Sequence, residues 1–310
     1  MTASRECDIK PLRIGMIGLD TSHVTEFAKL LHDETHRYHV PGGRIAAAYR
    51  GGSPDVPLSC KRIDGFTSEL QQRYTVPLVE TLEEVADRCD VLMLESVDAR
   101  RHLEQFRRIA PFGKPVFIDK PFAASSADAA DLAAVAQQYG TPIMSASALR
   151  FADGLERALL NTEHGPIVGV DCYGPMPLEP SMPGFFWYGV HMVEMIYCVM
   201  GEGCAQVSAL MSRDHDIAAG RWKDGRIAVL RGCRSGNCRF GGMIHREYGS
   251  DIIIYASPKP YFASLLERVM DWFRTGRSAV ALSETLETIR FIEAANKSRL
   301  SGLTVNLNWK

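Results

Sequence analysis

Lys120 and His191 are the residues of this sequence best placed to move a proton. Asp119-Lys120-Pro121 directly follows Pro115 to Ile118, a short apolar run that reads as a buried strand. Lys120 therefore falls at the carboxyl edge of a sheet, where open α/β sheets bind ligands. An ammonium there can hold a substrate hydroxyl or, with a lowered pKa, carry a proton. His191 and Glu194 are three apart in an apolar stretch of helical spacing, Gly189 to Met200, so they share a face. Polar groups on a buried stripe need partners or a task. The expected task is acid–base chemistry: His191, with an ordinary pKa of about 6.5, accepts a proton at neutral pH. Glu194 orients its ring or raises its pKa, and Trp187 forms an apolar wall. The plainer alternative is a solvated lysine, a satisfied core histidine, and Phe185 to Tyr188 as ordinary core.

A second candidate site is the turn Gly18-Leu19-Asp20-Thr21-Ser22-His23, which follows the apolar run Arg13 to Ile17. A dinucleotide fingerprint would place glycines at 18, 20 and 23. Gly18 is present, while Asp20 and His23 replace the other two. The following helix N-terminus still offers free N–H groups to a phosphate, and Thr21 and Ser22 add hydroxyls. Asp20 is expected to repel one. At the end of the second strand, where an acid would bind ribose hydroxyls, stand Arg50 and Ser53, a pair suited to the 2′-phosphate of NADP. Cys233 and Cys238, with no second matching pair, make a poor zinc site, and no metal is expected.

These residues need a scaffold, and the pattern supplies one. Strand-like runs at Arg13–Gly18, Arg44–Tyr49, Asp90–Glu95, Pro115–Ile118 and Pro142–Ser145 alternate with helical stretches, including a capping box at Thr81 and Glu84. That implies a Rossmann-like, doubly wound parallel sheet. After about residue 150, consecutive strand-like runs (205–211, 226–231, 237–245, 251–256) and two closing helices imply an α+β domain with an open, mostly antiparallel sheet. The expected division is residues 1–123, with 124–147 completing the first sheet, and 148–310. Residues 175–184 and 213–223 read as specificity loops.

Composition narrows the functions. The 310 residues are 46% hydrophobic and 23% charged, values of an ordinary globular chain. Lys and Arg number 35 against 37 Asp and Glu, leaving no basic excess for nucleic acid. The most apolar stretch, Phe185 to Met200, is interrupted by His191 and Glu194, so no membrane span is expected. Eight scattered cysteines and no signal-peptide core at the N-terminus suggest a cytoplasmic protein. A sheet with helices on one face suggests a homo-oligomer through the second domain.

Taken together, the residues resemble the glucose–fructose oxidoreductase/inositol dehydrogenase/MocA family. The resemblance lies in the RIGMIG strand, His102 about seven residues past a strand end, Asp119-Lys120-Pro121, Arg150-Phe151, a later histidine opening a helix, and the C-terminal ETLETIRFIEAANKSRLSG. It implies NAD- or NADP-linked oxidation or reduction of a sugar, polyol or related hydroxy compound. It places cofactor contacts at Gly18, Asp20, Thr21, Ser22, His23, Arg50, Ser96, His102, Asp119 and Lys120, and catalysis at Lys120, His191 and Glu194. Asp119 replaces the family's glutamate, Glu194 its usual aspartate, and Trp187 stands at another aspartate position. Asp20, His23 and Trp187 favour an alternative, a cofactor-free sugar-binding or regulatory member. Lys120 and His191 favour the enzyme. A lyase or epimerase that uses a bound nicotinamide transiently is a third reading.

Overall fold

The structure, a computed structural model, describes residues 10–236 and 239–307. It opens with β1 (Leu12–Ile17), α1 (His23–His32), β2 (Gly43–Tyr49), α2 (Pro57–Tyr74), α3 (Leu82–Arg88), β3 (Val91–Leu94), α4 (His102–Ile109), β4 (Val116–Ile118), α5 (Ser126–Tyr139) and β5 (Ile143–Met144). The five strands pair in parallel in the order β2-β1-β3-β4-β5. All four residues of β3 and all three of β4 are buried, as a sheet covered on both faces requires. The winding reverses between β1 and β3, so a crevice opens beyond the carboxyl ends of these strands. The Thr81 cap forms: its hydroxyl accepts the Glu84 N–H at 3.2 Å.

The chain continues through α6 (Asp153–Leu160), β6 (Ile167–Pro175), α7 (Gly189–Met200), β7 (Cys204–Met211), β8 (His215–Trp222), β9 (Ile227–Cys233), β10 (Gly241–Arg246), β11 (Gly249–Ile254), α8 (Tyr261–Thr275), α9 (Leu282–Ser301) and β12 (Val305–Asn306). Seven strands form a second sheet in the order β11-β10-β6-β9-β8-β7-β12, antiparallel except for the parallel pair β6–β9. Helices α7 and α9 pack on one face, where Tyr197, Trp222 and Phe291 meet ring to ring. Helix α8 returns to the first sheet: Leu266, Val269 and Met270 pack in one cluster with Ile14, Met16 and Phe27.

One expectation needs correction. Residues 213–223 are not a loop, because most of that stretch is β8. Residues 57–74, for which the sequence pattern assigns no element, form α2. Cys60, Cys89, Cys172, Cys198 and Cys204 are not in disulfides. Cys7 and Cys238 lie outside the described residues, and so does the Cys233–Cys238 zinc candidate. Among the described residues no helix is long and apolar enough to cross a membrane.

Candidate functional site

A cavity of about 150 Å³ lies between the carboxyl edge of the first sheet and the start of α7. Lys120 and His191 both line it, one from each sheet's side, and Trp187, Tyr188 and Phe240 supply aromatic wall. The Lys120 ammonium makes no hydrogen bond or ion pair among the described residues, whereas its backbone N–H donates to Asp119 Oδ1 at 2.7 Å.

The surroundings of His191 differ from expectation. Its Nδ1 shares a 2.7 Å hydrogen bond with Ser147 Oγ, and its ring meets Tyr188 and Phe240 edge-on at 5.6 and 5.5 Å. Burial, reinforced by Lys120, holds its pKa well below the ordinary histidine range, so the ring is neutral at neutral pH. Glu194 does not orient it. The Arg150 guanidinium donates to Glu194 Oε2 at 3.1 Å and to the Glu194 carbonyl at 3.0 Å, and also pairs with Glu284. Both Arg150 and Glu194 are buried, and a buried carboxylate is held by the nearest cation. Glu194 is therefore part of a structural ion cluster, and Ser147 takes the orienting place assigned to it.

His23 makes a different cluster. Its ring lines the cavity, and its Nδ1 lies 3.2 Å from both Glu95 Oε2 and Asp119 Oδ1. The ends of β3 and β4 present these two carboxylates, both fully buried. Burial alone would lower the histidine's pKa, but Asp119 and Glu95 outweigh it and raise it to about 9. Burial and the neighbouring Asp119 push Glu95 up. Asp119, despite its own burial, is held down by His23 and Lys120. Glu95 escaped the sequence reading. Its one signal was an acid closing the apolar run Val91–Leu94, beside the edge that carries Asp119.

The turn at Gly18 bears on a dinucleotide. Gly18 has φ of +85°, and a Cβ there would lie 2.4 Å from Ser96 Oγ, so the tight turn requires glycine. Asp20 points inward: it accepts from Ser59 Oγ at 2.6 Å and from the Val97 N–H at 3.0 Å. Its two carboxylate oxygens are thus both engaged by neutral donors within the fold. Ser22 stands at the N-cap of α1 without using its hydroxyl as a cap, and with Thr21 it lines the cavity. These residues fit a dinucleotide's phosphates. Arg50, paired with Asp64 at 2.6 Å, lines a separate hollow with Ser53 beyond β2. Ser96 and His102 lie behind the site. Ser96 Oγ donates to Gln105, and His102 bridges the carbonyls of Ser96 and Phe122 at 2.8 and 3.2 Å. Arg62, on the unanticipated α2, also lines the cavity.

Residues 12–147 match a family model described as an oxidoreductase family with an NAD-binding Rossmann fold. An uncharacterised oxidoreductase of Escherichia coli K12, YhhX, is 30% identical over 187 residues, covering 54% of this chain and 51% of that protein. The match thus spans about half the length of this relative. Among solved structures, a myo-inositol 2-dehydrogenase from Lactobacillus plantarum has a TM-score of 0.79 at 17% identity, over 96% of this chain and 100% of that one. A scyllo-inositol dehydrogenase from Lactobacillus casei, with bound NAD(H) and scyllo-inositol, has a TM-score of 0.78 at 16% identity, over 96% and 99%. Identities this low establish a shared fold.

Proposed function

We propose that the protein is an NAD- or NADP-linked oxidoreductase acting on a sugar, polyol or related hydroxy compound, a reading supported by the match of residues 12–147 to the model of an oxidoreductase family with an NAD-binding Rossmann fold. The observation that carries this reading is that Lys120 and His191 line one cavity. A bound nicotinamide would supply hydride transfer. Thr21, Ser22 and the first turn of α1 would hold its phosphates, and Arg50 its ribose end. Lys120 holds the substrate oxygen and stabilises negative charge developing there. His191, kept neutral and steadied by Ser147, offers that oxygen a hydrogen bond. Trp187, Tyr188 and Phe240 cover the apolar face of a ring and exclude water.

A fluorescence titration with NADH and NADPH tests the cofactor. Binding of at least one below millimolar concentration is expected, and binding of neither overturns the reading. Lys120→Met should lower turnover on the true substrate by about 10²–10⁴-fold, the size of a lost acid–base or charge-stabilising group, with cofactor affinity nearly unchanged. One observation favours the second reading, a cofactor-free sugar-binding or regulatory protein: Gly18 to Thr21 are all buried. Calorimetric binding of a sugar without any nicotinamide binding would select it. The thiols without disulfides support a cytoplasmic setting, and a second copy of the chain is the partner we propose for the outer face of the second sheet.

A further inference from the structure

His23 stands at the cavity without a task in this scheme, while the substrate oxygen lacks a good proton donor. His191 is a weak one, because its charged form would be a buried cation beside the Lys120 ammonium. His23 occupies the place of the fingerprint's last glycine. Its Nδ1 is committed to Glu95 and Asp119, so the ring nitrogen left for the cavity is Nε2. Phe27 and Phe262 fix the ring at centroid distances of 5.2 and 5.0 Å. A buried carboxylate on one imidazole nitrogen holds the ring's orientation and steadies its positive charge, leaving the other nitrogen to exchange a proton.

We propose that His23, backed by Glu95 and Asp119, is the acid–base residue of this site. The inference rests on the oxidoreductase reading. In reduction, the carbonyl carbon takes up hydride from the nicotinamide, the carbonyl electron pair moves to oxygen, and that oxygen takes the proton as the Nε2–H bond breaks. The neutral imidazole then regains a proton from solvent. Oxidation runs the reverse: the hydroxyl O–H bond breaks, Nε2 gains the proton, and the carbon gives up hydride. Glu95 and Asp119 do not line the cavity and act on it through His23, so they are positioning residues. Glu95 Oε1 and Asp119 Oδ2 have no hydrogen-bond partner, so the cluster has acceptor capacity to spare as the charge on His23 changes. The other ionisable groups around the ring are Lys120 at the sheet edge, Arg62 from α2, Tyr188 and His191 beside and on α7, and Tyr261 on α8.

The sign of the pH dependence follows. His23 is charged below about 9, so carbonyl reduction should fall as pH rises through that value and oxidation should rise. Glu95→Gln removes one carboxylate and keeps the shape, so this limb should move to lower pH. Lys120→Met lowers the plateau instead. His23→Ala should lose about 10²–10⁴-fold in turnover and recover in part with added imidazole. Nitrogen-15 NMR of labelled histidine in the full protein reads the same group without turnover: His23 should be an imidazolium at neutral pH, and its titration should drop in Glu95→Gln. A neutral His23 at neutral pH, or a limb that Glu95→Gln leaves in place, overturns the proposal while the oxidoreductase reading survives. The Nδ1 and carboxylate ligand atoms lie within 4.8 Å of one another. One equivalent of divalent cation released only on unfolding would therefore overturn it too. A charged His23 in a protein with no nicotinamide-dependent turnover sinks the oxidoreductase reading, and the acid–base task with it.

Discussion

Arg150 holds two acidic side chains, Glu194 and Glu284, in a place with little access to water. Removing one partner from such a cluster leaves the others uncompensated, at a cost of about 3–5 kcal/mol. Arg150→Met should lower the unfolding free energy by that order in a denaturant titration, whereas Lys120→Met, whose ammonium has no ion-pair partner among the described residues, should lower it by much less. Equal stabilities for the two variants would contradict this division between a structural and a functional cation. The same division explains which residues were legible beforehand. Lys120 and His191 announce themselves locally, one by the strand that precedes it and one by its helical spacing. Glu194 was assigned to His191 because the two are neighbours on a helix, yet its real partner Arg150 is 44 residues away. His23 was legible as a position in the dinucleotide turn, but its chemistry depends on Glu95, 72 residues away. Partners are chosen by the fold, and sequence spacing sees only those within a turn or two of helix.

The strands of the first sheet were readable because they are buried on both faces and carry continuous apolar runs. Helix α2 was not, since its buried positions are Ser59, Ile63, Thr67 and Leu70, a stripe half polar. Strand β8 hid for a related reason. Its inward residues are Asp216, Ala218, Gly220 and Trp222, which show no apolar alternation. Asp216 tolerates burial because Arg234 and Arg299 bond its two oxygens at 3.0 and 2.7 Å. The turn between β1 and α1 gives the prediction at this scale. Alanine at position 18 would keep a positive φ, at a strain of about 1–3 kcal/mol. It would also bring a carbon to 2.5 Å from the Ser96 backbone nitrogen. Gly18→Ala should therefore lower the melting temperature and weaken nicotinamide binding together, by displacing α1 and the Thr21–Ser22 hydroxyls. A variant that melts normally and binds normally would mean the turn has slack that its packing does not suggest.

At the scale of the whole molecule, the outer face of the second sheet calls for a partner. Helices α7 and α9 cover the inner face, and no element of the described chain covers the central part of the outer one. Met243 on β10 and Ile252 on β11 stand directly opposite each other there, with Ile254 two residues on. Across the sheet, Ile217 on β8 pairs with Leu210 on β7. Ile252, Ile254 and Leu210 are 63%, 56% and 73% exposed. Apolar rows on a broad, twisted surface, interrupted by the His245–Asp171 pair at 3.0 Å, mark a binding face more than a solvated one. The same rows on two copies can face each other across a twofold axis, since a self-complementary patch needs no second kind of surface. Sedimentation at micromolar concentration should therefore report a dimer or a larger even-numbered assembly. The double variant Met243→Glu, Ile252→Glu places four carboxylates across such an interface and should shift the protein to monomer. It should leave the His23–Lys120–His191 cavity, which neither residue lines, able to bind its ligand. A wild-type monomer under those conditions, or an assembly that survives both substitutions, would move the contact elsewhere on the molecule.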